Sequence, residues 1–208
     1  MEKSSISAEA KSVLDKIGKT ELVKNFYLAG GTALALQLNH RESVDLDWFS
    51  TEVFSNKKII ECLSGLGTFE LNQEDEGTVH GTLDGVKVSF LFYSQKLLFP
   101  LVDFEGANMA SEKDIAAMKL SAISSRGSKK DFIDFYFLLK KYSLKELFEV
   151  FEKKYEEIKY NKVHLLKSLA YFDDAEEDPM PIMIENADWE KMKEELREKT
   201  ADFLGKRE

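Results

Sequence analysis

The sequence predicts an α+β protein: a mixed sheet with flanking helices over residues 1–108, then a helical lobe over residues 109–208, the two being separate or one intimate domain. Three observations predict it. Between Thr78 and Tyr93 polar and apolar residues alternate on both sides of Asp84-Gly85, a strong two-residue hairpin signal. Beyond the loop around Pro100 the apolar spacing turns helical and stays so. Upstream, Gly30-Gly31-Thr32 links a short strand to a short helix, and Asp45-x-Asp47 follows on the next strand.

Taken in order, residues 7–25 read as an amphipathic helix with Val13, Ile17, Leu22 and Val23 as buried candidates. A strand at 26–29, a helix at 32–38 and a strand at 43–49 come next, the last placing Val44, Leu46 and Trp48 opposite its two aspartates. A helix at 55–66 and a strand at 68–71 lead into the hairpin of 78–83 and 86–93. Helices are expected at 112–125, 129–141, 144–154, 162–172 and 189–204, with an acidic linker from Asp173 to Pro181. Ser111 with Asp114, and Ser143 with Glu146, have the spacing of capping boxes. Trp189, Met192, Leu196 and Phe203 form a stripe that must dock, most simply on this same chain.

The Asp84-Gly85 turn predicts a register. Leu83 pairs with Val86, so Thr82 faces Lys87, His80 faces Ser89 and Thr78 faces Leu91 on one side. Gly81 with Val88, and Val79 with Phe90, take the apolar side.

Carboxylates at i and i+2 of a strand leave the same face, which offers a hard divalent cation two oxygen ligands from one rigid element. The Gly-Gly pair permits a tight turn, and N–H groups at the helix start can cradle phosphate. Asp45 and Asp47 with Gly30, Gly31 and Thr32 therefore read as a nucleoside-triphosphate site. The plainer reading, a common turn and solvated acids, uses the same residues.

The helical region carries charges on apolar stripes. Projected at about 100° per residue, Lys119 falls within the arc of Ile115, Ala116, Met118, Ala122 and Ile123, with Arg126 almost directly below it. Asp131 lies at the margin of the face formed by Phe132, Phe135, Leu138 and Leu139. Buried charge needs a partner or a ligand. Lys119 and Asp131 either tie two helices together or line a cleft that meets phosphates; Lys129 and Lys130 read as solvated helix-start residues.

The stretch A-G-G-T-x12-D-x-D resembles the first motif of polymerase-β-type nucleotidyltransferases. More narrowly, GGTALALQLNHRESVDLDWF and DIAAMKLSAISSRGSKKDFIDFYFLL resemble bacterial AbiEii/AbiGii-type toxins, over Tyr27 to about Tyr142. The resemblance implies a nucleotidyltransferase-like sheet with the site between the lobes. Asp45 and Asp47 would hold Mg²⁺ (or Mn²⁺), and an NTP would be the substrate. Gly30, Gly31, Thr32, Lys87 and Arg126 would bind the nucleotide. Lys119 and one acid, Asp131 or Asp134, would belong to the active site. The family's third carboxylate has no counterpart here; Ser89, or Lys87, stands where it is expected, and His80 lies opposite. The implied role is the toxin of a toxin–antitoxin or phage-defence pair, with a cognate antitoxin and an RNA (tRNA) or protein acceptor. A catalytically degenerate nucleotide- or partner-binding relative and an antibiotic-modifying nucleotidyltransferase are the rival readings.

Composition bounds these readings. The lone Cys62 and the absence of an apolar segment after Met1 predict a cytoplasmic chain without a disulfide framework, and no apolar run predicts a membrane span. The net charge of −9 argues against nonspecific binding to duplex DNA. Within it, residues 111–170 hold 13 basic and 9 acidic residues, so local RNA contact stays open beside ordinary solvated helix faces.

Overall fold

The computed structural model describes residues 4–205, so the Met1 start read above lies outside them. The chain divides into two compact units, Met1–Ser111 and Glu112–Glu208.

The first unit holds α1 (Ala8–Gly18), a 3₁₀ turn (Glu21–Lys24), β1 (Tyr27–Ala29), α2 (Gly30–Leu38), β2 (Leu46–Ser50) and α3 (Asn56–Ser64). It continues with β3 (Phe69–Asp75), β4 (Thr78–Leu83), β5 (Val86–Phe92), β6 (Val102–Phe104) and β7 (Ala107–Met109). The seven strands form one sheet in the order β3-β4-β5-β2-β1-β7-β6. β2 runs parallel to β5, β1 parallel to β7, and the other neighbours are antiparallel. Period-two alternation gives this sheet two unlike faces. Leu46, Trp48, Val79, Val88 and Phe90 are buried, and Trp48 stacks on Phe90 at 6.2 Å between ring centres. Each such large side chain contributes about 1.5–3 kcal/mol on leaving water. Asp47, Phe49, His80, Ser89 and Leu91, the alternate residues, are only half-buried.

The hairpin register is the one the turn predicts, from Leu83↔Val86 to Thr78↔Leu91, with His80 opposite Ser89. Asp84 (φ 49°) and Gly85 (φ 83°) both take positive φ, the conformation that matches the strands' right-handed twist.

Several expectations need correction. The helix expected at 7–25 breaks after Gly18, where Lys19 closes α1 and Thr20 Oγ1 accepts from Leu22 N to start the 3₁₀ turn. Leu22 and Val23 are consequently half-buried. The aspartate strand begins at Leu46, so Asp45 lies just before it, and Val44 is exposed rather than opposite the acids. The segment after Pro100 is not helical throughout, because β6 and β7 form a hairpin on Glu105-Gly106, both at positive φ. Three-residue strands are too short for alternation to reveal.

The second unit holds α4 (Glu112–Ser125), α5 (Lys129–Leu138), α6 (Leu144–Lys154), α7 (Lys162–Ser168), α8 (Asp173–Glu176) and α9 (Trp189–Gly205). α4 is its centre, packed by α5, α6 and α7. Ser143 and Glu146 form the expected capping box on α6. Asp114 is buried and its carboxylate meets Lys154 Nζ at 2.9 Å, a tie between α4 and α6. The expected linker contains the short helix α8. The α9 stripe docks within this unit: Met192 and Leu196 are buried, Trp189 stands edge-on to Phe132 and Phe172, and Phe203 approaches Phe148. Lys129 is buried, not solvated. Its Nζ donates to the carbonyls of Glu176 and Asp178, and Asp178 Oδ2 accepts from Lys129 N at the start of α5.

Candidate active site

In the first unit the turn from β1 into α2 has no room to spare. Gly30 takes φ +68°, which side chains other than glycine's resist, and a Cβ there would lie 3.1 Å from Asp47 Oδ2. The Asp47 carboxylate therefore rests on the first residue of α2, where unpaired N–H groups and the helix dipole favour negative charge. A Cβ on Gly31 would come 2.5 Å from Arg41 Nη2. Arg41 is 2% exposed and donates from Nη1 to Glu42 O at 3.0 Å. This buried guanidinium beside Gly31 is a functional candidate that sequence reading missed. Its only signal was a charge between the glycine turn and the aspartates, and loop charges are ordinarily solvated.

Thr32 is buried. Its hydroxyl shares a 2.8 Å hydrogen bond with Ser43 Oγ and donates to the Asp45 carbonyl, so α2 fixes the backbone that presents Asp45. Asp47 pairs with Ala29 on β1 and with Ser89 on β5, and Ser89 pairs with His80 on β4. His80 Nδ1 and Ser89 Oγ are 3.0 Å apart. Lys87 is exposed on the same face, two residues from Ser89 and in register with Thr82.

Asp45 and Asp47 are both half-buried, and among the described residues no three His, Cys, Asp or Glu side chains converge on one metal position. A carboxylate beside the helix start, Asp47, with Asp45 two residues before it, fits Mg²⁺ all the same. That ion is commonly held by one or two carboxylates and completes its shell from water and substrate phosphates.

In the second unit α4 and α5 bring the other candidates together. Lys119 Nζ lies 2.8 Å from Asp131 Oδ1 and 2.5 Å from Asp134 Oδ2. Arg126 Nε donates to Asp131 Oδ2 at 3.0 Å and Ser128 Oγ to the same oxygen at 2.7 Å. Lys119, Asp131 and Asp134 are buried, whereas the Arg126 side chain is 68% exposed. Burial pushes the Asp131 carboxyl up, but the Lys119 ammonium and the Arg126 guanidinium outweigh it and hold it below its ordinary range. The helix-tying reading of Lys119 and Asp131 is thus realised, with Asp134 as a second acid. A cavity of about 640 Å³ in this unit, lined by Leu139, Tyr142, Leu144, Lys199 and Phe203 among others, contains none of these residues.

A mixed sheet whose β1–α2 turn meets Asp47 of an Asp-x-Asp at the start of β2 defines a protein of the nucleotidyltransferase fold. Solved structures share it. JHP933 of Helicobacter pylori is 19% identical with a TM-score of 0.57, covering 97% of this chain and 94% of that one. MenT4, a nucleotidyltransferase toxin of Mycobacterium tuberculosis H37Rv, is 15% identical with a TM-score of 0.55, covering 94% and 86%. More particularly, residues 12–206 match the family described as "Nucleotidyl transferase AbiEii toxin, Type IV TA system", and the chain belongs to that family. An uncharacterized protein of Aquifex aeolicus, aq_aa25, is 35% identical over 211 residues, spanning 96% of this chain and 98% of its own. Among the described residues no helix is long and apolar enough to cross a membrane.

Proposed function

We propose that this chain is the metal-dependent toxin of a bacterial toxin–antitoxin pair, transferring a nucleotidyl group from an NTP to an RNA, with tRNA the first choice of acceptor and a protein the second. The observation that carries the reading is the Asp47 carboxylate seated against Gly30 at the start of α2. It joins the two halves of a nucleotide site, the acid pair and the phosphate-binding turn, in one place. Asp45 and Asp47 would hold Mg²⁺ (or Mn²⁺), which when bound neutralises charge on the transferring phosphoryl group. The N–H groups of Gly31 and Thr32 would take the β- and γ-phosphates, and the buried Arg41 would balance their charge. An acceptor oxygen bonds to the α-phosphorus while the bridging bond to pyrophosphate breaks.

The family resemblance supports a catalytic part for Lys119 with Asp131 or Asp134, for Lys87 and Arg126 as exposed cations toward the nucleotide, and for a cognate antitoxin as partner in the cytoplasm. The second reading, a degenerate nucleotide- or partner-binding relative, draws on Ser89 standing beside Asp47 without a third carboxylate.

Purified protein incubated with Mg²⁺, each α-³²P-labelled NTP and total bacterial tRNA tests the proposal. Label transferred to RNA by the wild type and withheld without Mg²⁺ is the expected result. Nucleotide binding with no transfer to RNA or protein would favour the degenerate relative, and labelling of small hydroxylated compounds the antibiotic-modifying reading.

A further inference from the structure

The two faces of β2 use their side chains differently. Leu46 and Trp48 point into the core, and Trp48 and its partner ring Phe90 are 0% exposed. Asp47 and Phe49 take the other face and are half-buried. Residues i and i+2 of a strand share a face about 7 Å apart, so Phe49 is the next side chain along β2 from the Asp47 carboxylate. Its register partner Tyr27 lies stacked beside it, ring centres 6.0 Å apart at 24°, and Tyr93 meets it edge-on at 5.7 Å and 75°. Tyr93 N donates to Ser50 O at 2.8 Å, which ties the backbone just beyond β5 to the end of β2. Tyr27 is buried, whereas Phe49 and Tyr93 are half-buried. They form an aromatic corner, backed by Tyr27, on the face that carries Asp47.

The place of this corner relative to the acids decides what it meets. β1 runs from Tyr27 to Ala29 and on into α2, and β2 is antiparallel to it. Asp47 therefore pairs with Ala29 beside the start of α2, and Phe49 pairs with Tyr27 farther away. Along β2 the order is helix start, Asp47, Phe49. In phosphoryl transfer the attacking and leaving oxygens lie roughly in line across the phosphorus. With pyrophosphate leaving at Gly31 and Thr32 and the phosphorus at Asp47, the attacking hydroxyl comes from the Phe49 side. The nucleoside of the NTP hangs on a different oxygen of that phosphorus and leaves this line sideways.

We propose that Phe49 and Tyr93 form the acceptor subsite, where the unpaired terminal nucleobase of an RNA stacks and brings its ribose hydroxyl onto the line of attack. The inference rests on the nucleotidyltransferase reading above and narrows its acceptor to a single-stranded RNA end. Every base has a π-face, so an aromatic corner takes a terminal base with little regard to sequence. A base inside a duplex is already stacked and paired, and a serine or threonine acceptor has no such face to offer.

Two measurements test this. A short single-stranded RNA ending in 2-aminopurine, whose fluorescence falls when the base stacks, reads the contact without any transfer. The wild type should quench it. Phe49→Leu, which keeps the apolar bulk and loses the ring, should not, and Phe49→Tyr should quench like the wild type. In the tRNA-labelling assay, Phe49→Leu should raise KM for the RNA at least about fivefold, the lower end of what one base–aromatic stack contributes, with KM for the NTP unchanged. A wild type that leaves the RNA probe unquenched overturns the proposal. So does quenching of 2-aminopurine riboside triphosphate that is lost in Phe49→Leu while KM for the RNA stays put, which would give the ring to the nucleotide instead. An active wild type whose Phe49→Leu variant keeps its KM for RNA defeats this proposal alone, while an inert wild type defeats the transferase reading and the acceptor subsite with it.

Discussion

The two units each present a pair of aspartates, and the pairs are unlike. Asp45 and Asp47 are half-buried on and just before a strand, against the start of a helix. Asp131 and Asp134 are buried on α5 and share the Lys119 ammonium. The first pair is partly open to solvent at its strand end. The second is closed upon itself, and any ligand would have to compete with Lys119. The same residue type is thus a recruiting group in one setting and a cross-link in the other, and burial with pairing decides which.

The sharpest break of this comparison comes from truncating one member on each side. Asp47→Ala should depress transfer by roughly 10²–10³-fold, the scale of losing one transition-state electrostatic partner, while unfolding free energy changes by about 1 kcal/mol or less. Lys119→Met should do the opposite in stability. It removes the buried ammonium that two buried carboxylates share, so urea unfolding should report a loss of about 3–5 kcal/mol. Near-wild-type stability in Lys119→Met would show that the two acids are relieved by other means. Full transfer in Asp47→Ala, with circular dichroism unchanged, would remove the metal-site assignment.

Acid should sharpen the contrast. The folded Asp131 carboxyl titrates below its unfolded counterpart, so its contribution is complete above the unfolded value near 3.9. It is lost as pH falls through the folded value. The stability difference between wild type and Asp131→Asn should therefore shrink as pH falls from about 5 through and below the unfolded value. A difference that stays constant over that window would contradict the depressed titration.

The smallest effect is expected at Thr32, the strut of the half-buried pair. Thr32→Val removes the donor to the Asp45 carbonyl and should cost about 1 kcal/mol with a loss of activity of about tenfold, equivalent to 1.4 kcal/mol in the barrier. Thr32→Ser keeps the hydroxyl and should stay close to the wild type. Equal behaviour of the two variants would leave the strut without a function.

Local features were legible in the sequence where a short-range rule governs them. Asp84-Gly85 specified the hairpin and, through pairwise alternation, the whole register from Leu83↔Val86 to Thr78↔Leu91. The Ser143–Glu146 box followed from spacing on one helix, whereas α5 buries Ile133, Tyr136 and Phe137 as well as the expected Phe132, Phe135 and Leu138. The Gly-Gly turn and the Asp-x-Asp pair were visible as motifs because each acts within a few residues.

What the tertiary structure alone decided involves partners far apart in the chain. Nothing local to Arg41 says that its guanidinium lies against Gly31, and nothing local to Lys129 says that the Glu176 and Asp178 carbonyls will bury it. Lys119 showed as a charge on an apolar stripe, but its sharing between Asp131 and Asp134 needed the packing of α4 on α5. The parallel pairing of β2 with β5 set Ser89 beside Asp47, and with it the row that ends at His80 and Gln73. Turn chemistry and periodicity are written in neighbouring residues, whereas the desolvation and pairing of a charge depend on which distant elements close over it.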